Sequence, residues 1–137
     1  MKTIYSKIIK KPIHIVFYKK DFDIRKDLVD PSEFIQVASL KLNNKQTFHP
    51  HKHKWKKSVN NNVIAQESWV IIRGSVKVDY YDTDNKFLQN EILKSGDCTI
   101  TLEGGHNYTS LSKDTLVYEF KTGPYFGFEL DKELIQV

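Results

Sequence analysis

Turn signals cut this chain at short, regular intervals, and most of the runs between them have the composition of a β-strand. Asp30-Pro31, Asn43-Asn44-Lys45, residues 58–62, Asp82-Thr83-Asp84-Asn85, Lys94-Ser95-Gly96-Asp97, Glu103-Gly104-Gly105 and Ser112-Lys113-Asp114 are clusters of turn-forming residues. Between them, residues 13–18, 34–42, 67–72, 76–81, 87–93, 98–102, 108–111 and 116–120 read as strands. The 34–42 run alternates, with Ile35, Val37, Ser39 and Lys41 on one face and Phe34, Gln36, Ala38, Leu40 and Leu42 on the other. The polar stretch 21–32 reads as a loop or a single helical turn, and the tail as ending in a short helix near 131–135. No helical periodicity is sustained anywhere. Eight or nine short strands at this spacing predict an all-β antiparallel sandwich or barrel.

The length of 137 residues suits one domain over residues 1–137, with a core at about 34–121, an N-terminal strand arm at 1–20 and a tail at 122–137. Apolar residues make up 39% of the chain, enough for a core. Seven Tyr, eight Phe and two Trp add to the β leaning. The net charge of +4 comes from scattered lysines with no nucleic-acid motif beside them, so a solvated basic surface is expected and nucleic acid is not a partner. The same charge suits an anionic small molecule such as a phosphorylated sugar. The single cysteine, Cys98, permits no intramolecular disulfide and reads as a small core residue. No apolar run reaches membrane-spanning length, and the N-terminus lacks the apolar stretch of a signal peptide. A cytoplasmic protein with no membrane partner is expected.

Five residues carry chemistry: His49, His51, His53, Glu67 and His106. On an extended strand His51 and His53 point to the same side, and neutral imidazole is the commonest ligand for Zn, Fe, Ni or Cu. Glu67 is in phase with Trp69 and Ile71, so facing inward it would bury a carboxylate among apolar neighbours unless a cation compensates it. His106 follows Gly104-Gly105 far along the chain, where a barrel returns it to the others. Together they form a candidate site for one divalent metal ion on His51, His53, Glu67 and His106. His49 shares the parity of its neighbours but precedes Pro50, and reads as a ligand, a supporting residue or a substrate contact.

The spacing His51-Lys52-His53, Glu67 and Gly74 resembles the first cupin motif, H-x-H…E-x6-G. Gly96 through His106 is similar to the second motif, G-x5-P-x-G-x2-H-x3-N, with Leu102 at the proline position, His106 one residue early and Ser110 in place of Asn. The resemblance covers about residues 34–120. It implies a double-stranded β-helix, the cupin jelly-roll barrel, with metal (Fe, Mn, Ni or Zn) on those four residues. Gln66-Glu67, the 73–82 stretch, Gly104-Gly105-His106 and the 119–125 stretch further resemble the small single-domain cupins of bacterial surface-polysaccharide and nucleotide-sugar gene clusters.

A site of three His and one Glu leaves coordination positions open for a substrate. The expected activity is Lewis-acid isomerisation or epimerisation of a small, sugar-like molecule. The alternatives are a non-catalytic metal-dependent binding or sensory module and an Fe(II) dioxygenase. Tyr108, His49 and Glu119 are the candidate acid–base groups, Tyr108 because it shares parity with His106; a core aromatic and a lysine-paired carboxylate are the plain readings of Tyr108 and Glu119. A homodimer is expected, paired through the β-like N-terminal segment 4–18.

Overall fold

A computed structural model describes residues 1–40, 46, 50, 64–113, 115–123 and 128–136. In chain order its strands are β1 (Lys2–Tyr5), β2 (Pro12–Phe17), β3 (Arg25–Asp27), β4 (Ala38–Leu40), β5 (Glu67–Arg73), β6 (Ser75–Tyr81), β7 (Phe87–Lys94), β8 (Cys98–Thr101), β9 (Gly105–Ser110) and β10 (Leu116–Lys121). A 3-10 turn at Lys19–Asp21 and one helical turn, α1 (Phe128–Asp131), complete the described elements. Strands take 49% of the described residues and helix 6%, so the fold is all-β.

The strands form three antiparallel sheets: a long one ordered β1-β2-β8-β5-β10, a short one ordered β7-β6-β9, and the pair β3-β4. Among the described residues they do not close into a barrel. The long and short sheets face one another across Ile4, Val16 and Ile71 from the first and Val76, Val78, Tyr80 and Leu93 from the second. The other face of the long sheet, with Ile15, Phe17, Cys98 and Ile100, is covered by Leu28, Val29 and Ile35. Strand β8 is therefore buried on both faces, as its unbroken burial requires. Cys98 lies beneath that cover, and burial pushes its thiol up to about 11, the state of an inert core residue.

Three local expectations change. The 21–32 stretch contains β3, whose exposed polar residues carry no hydrophobic alternation, yet it pairs with β4 in the register Arg25↔Leu40 to Asp27↔Ala38. In the 34–42 run only Ala38–Leu40 is strand among the described residues. Ile35 and Ser39 face inward as the alternation implies, but the Ile35 amide donates to the Gln66 side chain (2.8 Å) rather than to a ladder partner. The tail turns helical at Phe128–Asp131 and not at 131–135, since Ile135 instead lies against Gly105. The N-terminal segment is woven into the long sheet: β2 has β1 on one side and β8 on the other, and among the described residues β1 and β10 are the sheet edges.

Asp82 ties that segment to the short sheet. Its buried carboxylate accepts hydrogen bonds from the Ser6 hydroxyl and from the amides of Lys7 (2.6 Å) and Thr83 (2.8 Å). Burial works to raise its pKa, but these donors hold it below the usual carboxylate range. Asp82→Ala strands three donors and is expected to cost about 2 kcal/mol in urea unfolding. An unchanged midpoint would contradict this role.

Candidate metal centre

The interior between the two large sheets is apolar at one end and polar at the other, and the change runs along the strands. Inward residues pass from Val16 to His14 on β2, from Thr99 to Thr101 on β8 and from Ile71 through Trp69 to Glu67 on β5. On β6 and β9, Val78 lies opposite Tyr108 and Tyr80 opposite His106. Register aligns His14, Thr101, Glu67 and Lys121 in one row across four strands of the long sheet. The polar end opens into a cavity of about 880 Å³, within the usual range for small-molecule sites.

Glu67 and His106 meet there. His106 Nε2 lies 3.3 Å from Glu67 Oε1, and His106 Nδ1 lies 2.9 Å from Thr101 Oγ1. A carboxylate oxygen and a ring nitrogen this close are both acceptors unless a proton or a metal ion lies between them. Their spacing is also what two donors adopt on one ion at bond lengths of about 2.1 Å. Burial works to raise the Glu67 carboxyl, but the His106 ring against it, then Lys132 and Trp69, hold it below its ordinary value. The carboxylate is thus kept in the form a cation needs.

Comparison of the chain with family models, curated proteins and solved structures returned no match.

Tyr108 lies beside His106, with ring centroids 4.8 Å apart, and stacks on Trp69 at 3.8 Å and 9°. Its hydroxyl is buried with no hydrogen-bond partner in acceptable geometry, although Thr101 is near enough to ease its ionisation slightly. Burial, reinforced by Glu67, pushes its pKa well above the ordinary phenol value. It can donate a proton but does not act as a base near neutrality. Glu119 reaches the same cavity and accepts from Trp69 Nε1 at 3.2 Å.

Of the expected site residues, Glu67, His106, Tyr108 and Glu119 converge on the cavity. His49, His51 and His53 lie outside the described residues. No group of three or more His, Cys, Asp or Glu donors forms among the described residues. The donor set that is described, one imidazole and one ionised carboxylate, fits a divalent transition ion but needs further ligands to hold it.

Sequence reasoning missed His14, Thr101 and Lys132. A lone histidine within the apolar run 13–18 was the available signal for the first. A threonine in a strand carries none.

Proposed function

We propose that the chain is a small cupin that holds one divalent metal ion on Glu67 and His106, with His51 and His53 from outside the described residues completing the set, and that it acts on a small, hydroxyl-rich, sugar-like molecule. The observation that supports this reading is the 3.3 Å approach of Glu67 and His106 at the polar end of the sandwich interior. A bound ion would supply Lewis acidity towards a carbonyl oxygen of the ligand. Tyr108 keeps its proton and has a hydroxyl free to donate to a ligand oxygen. Trp69 and Tyr108 form an aromatic wall against the apolar face of a sugar ring, and Trp69 orients the Glu119 carboxylate. The described lining includes Glu67, Glu103, Glu119 and Glu133 against Lys132, which favours a neutral polyol; an anionic sugar would rely on the basic segment 52–57.

A binding module without turnover is the second reading. It is favoured by the state of the two described acid–base candidates: Tyr108 is a donor only, and Glu119 is already engaged by Trp69. Incubation with ketoses in D2O separates the two, because isomerisation through a carbon acid exchanges substrate hydrogen with solvent and simple binding does not. A homodimer joined at an open edge of the long sheet, β1 or β10, completes the proposal.

The test is thermal melting of chelator-treated protein with and without each divalent ion. At a hundredfold excess over its Kd the right ion should stabilise the parent by about 2.7 kcal/mol. His106→Ala should show no such shift. Equal shifts in both proteins would place any bound metal elsewhere.

A further inference from the structure

Where β1 turns into β2, the chain holds two isoleucines in solvent. Ile8 is 55% exposed and Ile9 39%, with Tyr5 at the end of β1 exposed as well. The backbone keeps them there. The amides of Ile8 and Ile9 both donate to the Ser6 hydroxyl oxygen at 3.0 Å, and the Ser6 amide donates to the Lys11 carbonyl at 2.9 Å. Lys10 takes a φ of +58° to complete the turn. The Ser6 hydroxyl and the Lys7 amide are held in turn by Asp82, a residue of the cavity wall. The apex is therefore a rigid projection at the polar end of the interior, beside the cavity. Every exposed charge on it is positive: residues 5–12 contain Lys7, Lys10 and Lys11 and no acid. None of the three pairs with a carboxylate among the described residues, and Asp82 beneath them is buried.

We infer that this apex is a docking point for an anionic lipid surface, into which Ile8 and Ile9 insert while Lys7, Lys10 and Lys11 meet the headgroup phosphates. Each lysine held near such a surface multiplies binding about fivefold, so three give roughly a hundredfold. The isoleucines add apolar burial beneath the headgroups, the usual partner of basic charge in interfacial anchors. Because the turn is already fixed, little ordering cost opposes insertion. A fluid headgroup layer accommodates a projecting tip, whereas a protein partner needs a pocket shaped to it. A second copy is disfavoured, since two apices would set lysine against lysine. The expectation of no membrane partner rested on the lack of a spanning run, and it changes here. No helix among the described residues is long and apolar enough to cross a membrane, and surface docking requires none. The inference stands on the hairpin and is independent of the metal.

The experiment is cosedimentation of tag-free full chain with vesicles of phosphatidylcholine, alone or with about 30% phosphatidylglycerol, at about 0.15 M salt. The parent should bind the anionic vesicles, leave the neutral ones, and come off as salt is raised. Ile8→Ser/Ile9→Ser should bind about tenfold more weakly and Lys10→Gln/Lys11→Gln about 25-fold. Both variants should keep the parent's urea midpoint, because the side chains they change are exposed. Lys94→Gln/Lys113→Gln makes the same charge change where β7 and β9 end, away from the apex, and should bind within about twofold of the parent. A parent that ignores phosphatidylglycerol would overturn the inference, and so would apex variants that bind as it does. An equal loss in Lys94→Gln/Lys113→Gln would also overturn it, by showing general adsorption of a basic chain. So would lipid-free self-association that Ile8→Ser/Ile9→Ser abolishes, since the apex would then belong to an interface between copies.

Discussion

Acidification from pH 7 to pH 4 is expected to cost the native state about 3 kcal/mol through His14 alone. The ring titrates near 6.5 when the chain is unfolded and at about 4 when folded, chiefly because burial penalises the charged form. A base with a depressed folded pKa binds fewer protons in the native state, so stability is intact above pH 6.5 and falls as pH drops towards 4. Two charged or titratable neighbours modulate this, Asp82 favouring the charged ring and His106 opposing it. Urea unfolding at a series of pH values should show the loss in the parent. In His14→Gln the carboxylates still titrate, but the His14 share of the slope disappears. Matching slopes in the two proteins would mean that His14 is not the neutral, sequestered group described here.

The second large effect is on the metal. Glu67→Gln preserves the shape of a side chain that is buried at the end of β5, but replaces an ionised carboxylate by a neutral amide. The surroundings already hold Glu67 below its ordinary pKa, so the substitution removes a full negative charge from the donor set. Affinity for the divalent ion should fall a hundredfold or more, about 3 kcal/mol, in competition titrations with a chromogenic chelator. Retained affinity would mean that the ion, if bound, does not use this carboxylate.

Much of the architecture was legible because hydrophobic alternation and turn chemistry agreed. Pro12–Phe17, Glu67–Arg73, Ser75–Tyr81 and Phe87–Lys94 lie where apolar runs meet Gly or Asn/Asp turns. Arg25–Asp27 was not legible, since an exposed polar strand is made by its partner rather than by its own residues. Residues 34–37 alternate because Ile35 must cover the outer face of the long sheet, a burial demand that strand pairing does not share.

The site divides in the same way. Glu67 and His106 were identifiable because a carboxylate in an apolar phase and a histidine after Gly104-Gly105 both ask for a partner. His14 was hidden by its position within an apolar strand, and Thr101 by its residue type. Their importance comes from the register His14↔Thr101 and Glu67↔Thr101, a pairing across β2, β8 and β5 that no local pattern encodes. The register also explains why polar groups gather at one end of the interior while Val16, Ile71, Val76 and Leu93 close the other.

Elemental mass spectrometry of tag-free protein, run beside folded Glu67→Gln and His106→Ala, tests the central claim most directly. The account predicts near-stoichiometric Fe, Mn, Ni or Zn in the parent and its loss from both variants. A folded parent that retains no ion after incubation with each metal would contradict it, and so would variants as metal-rich as the parent.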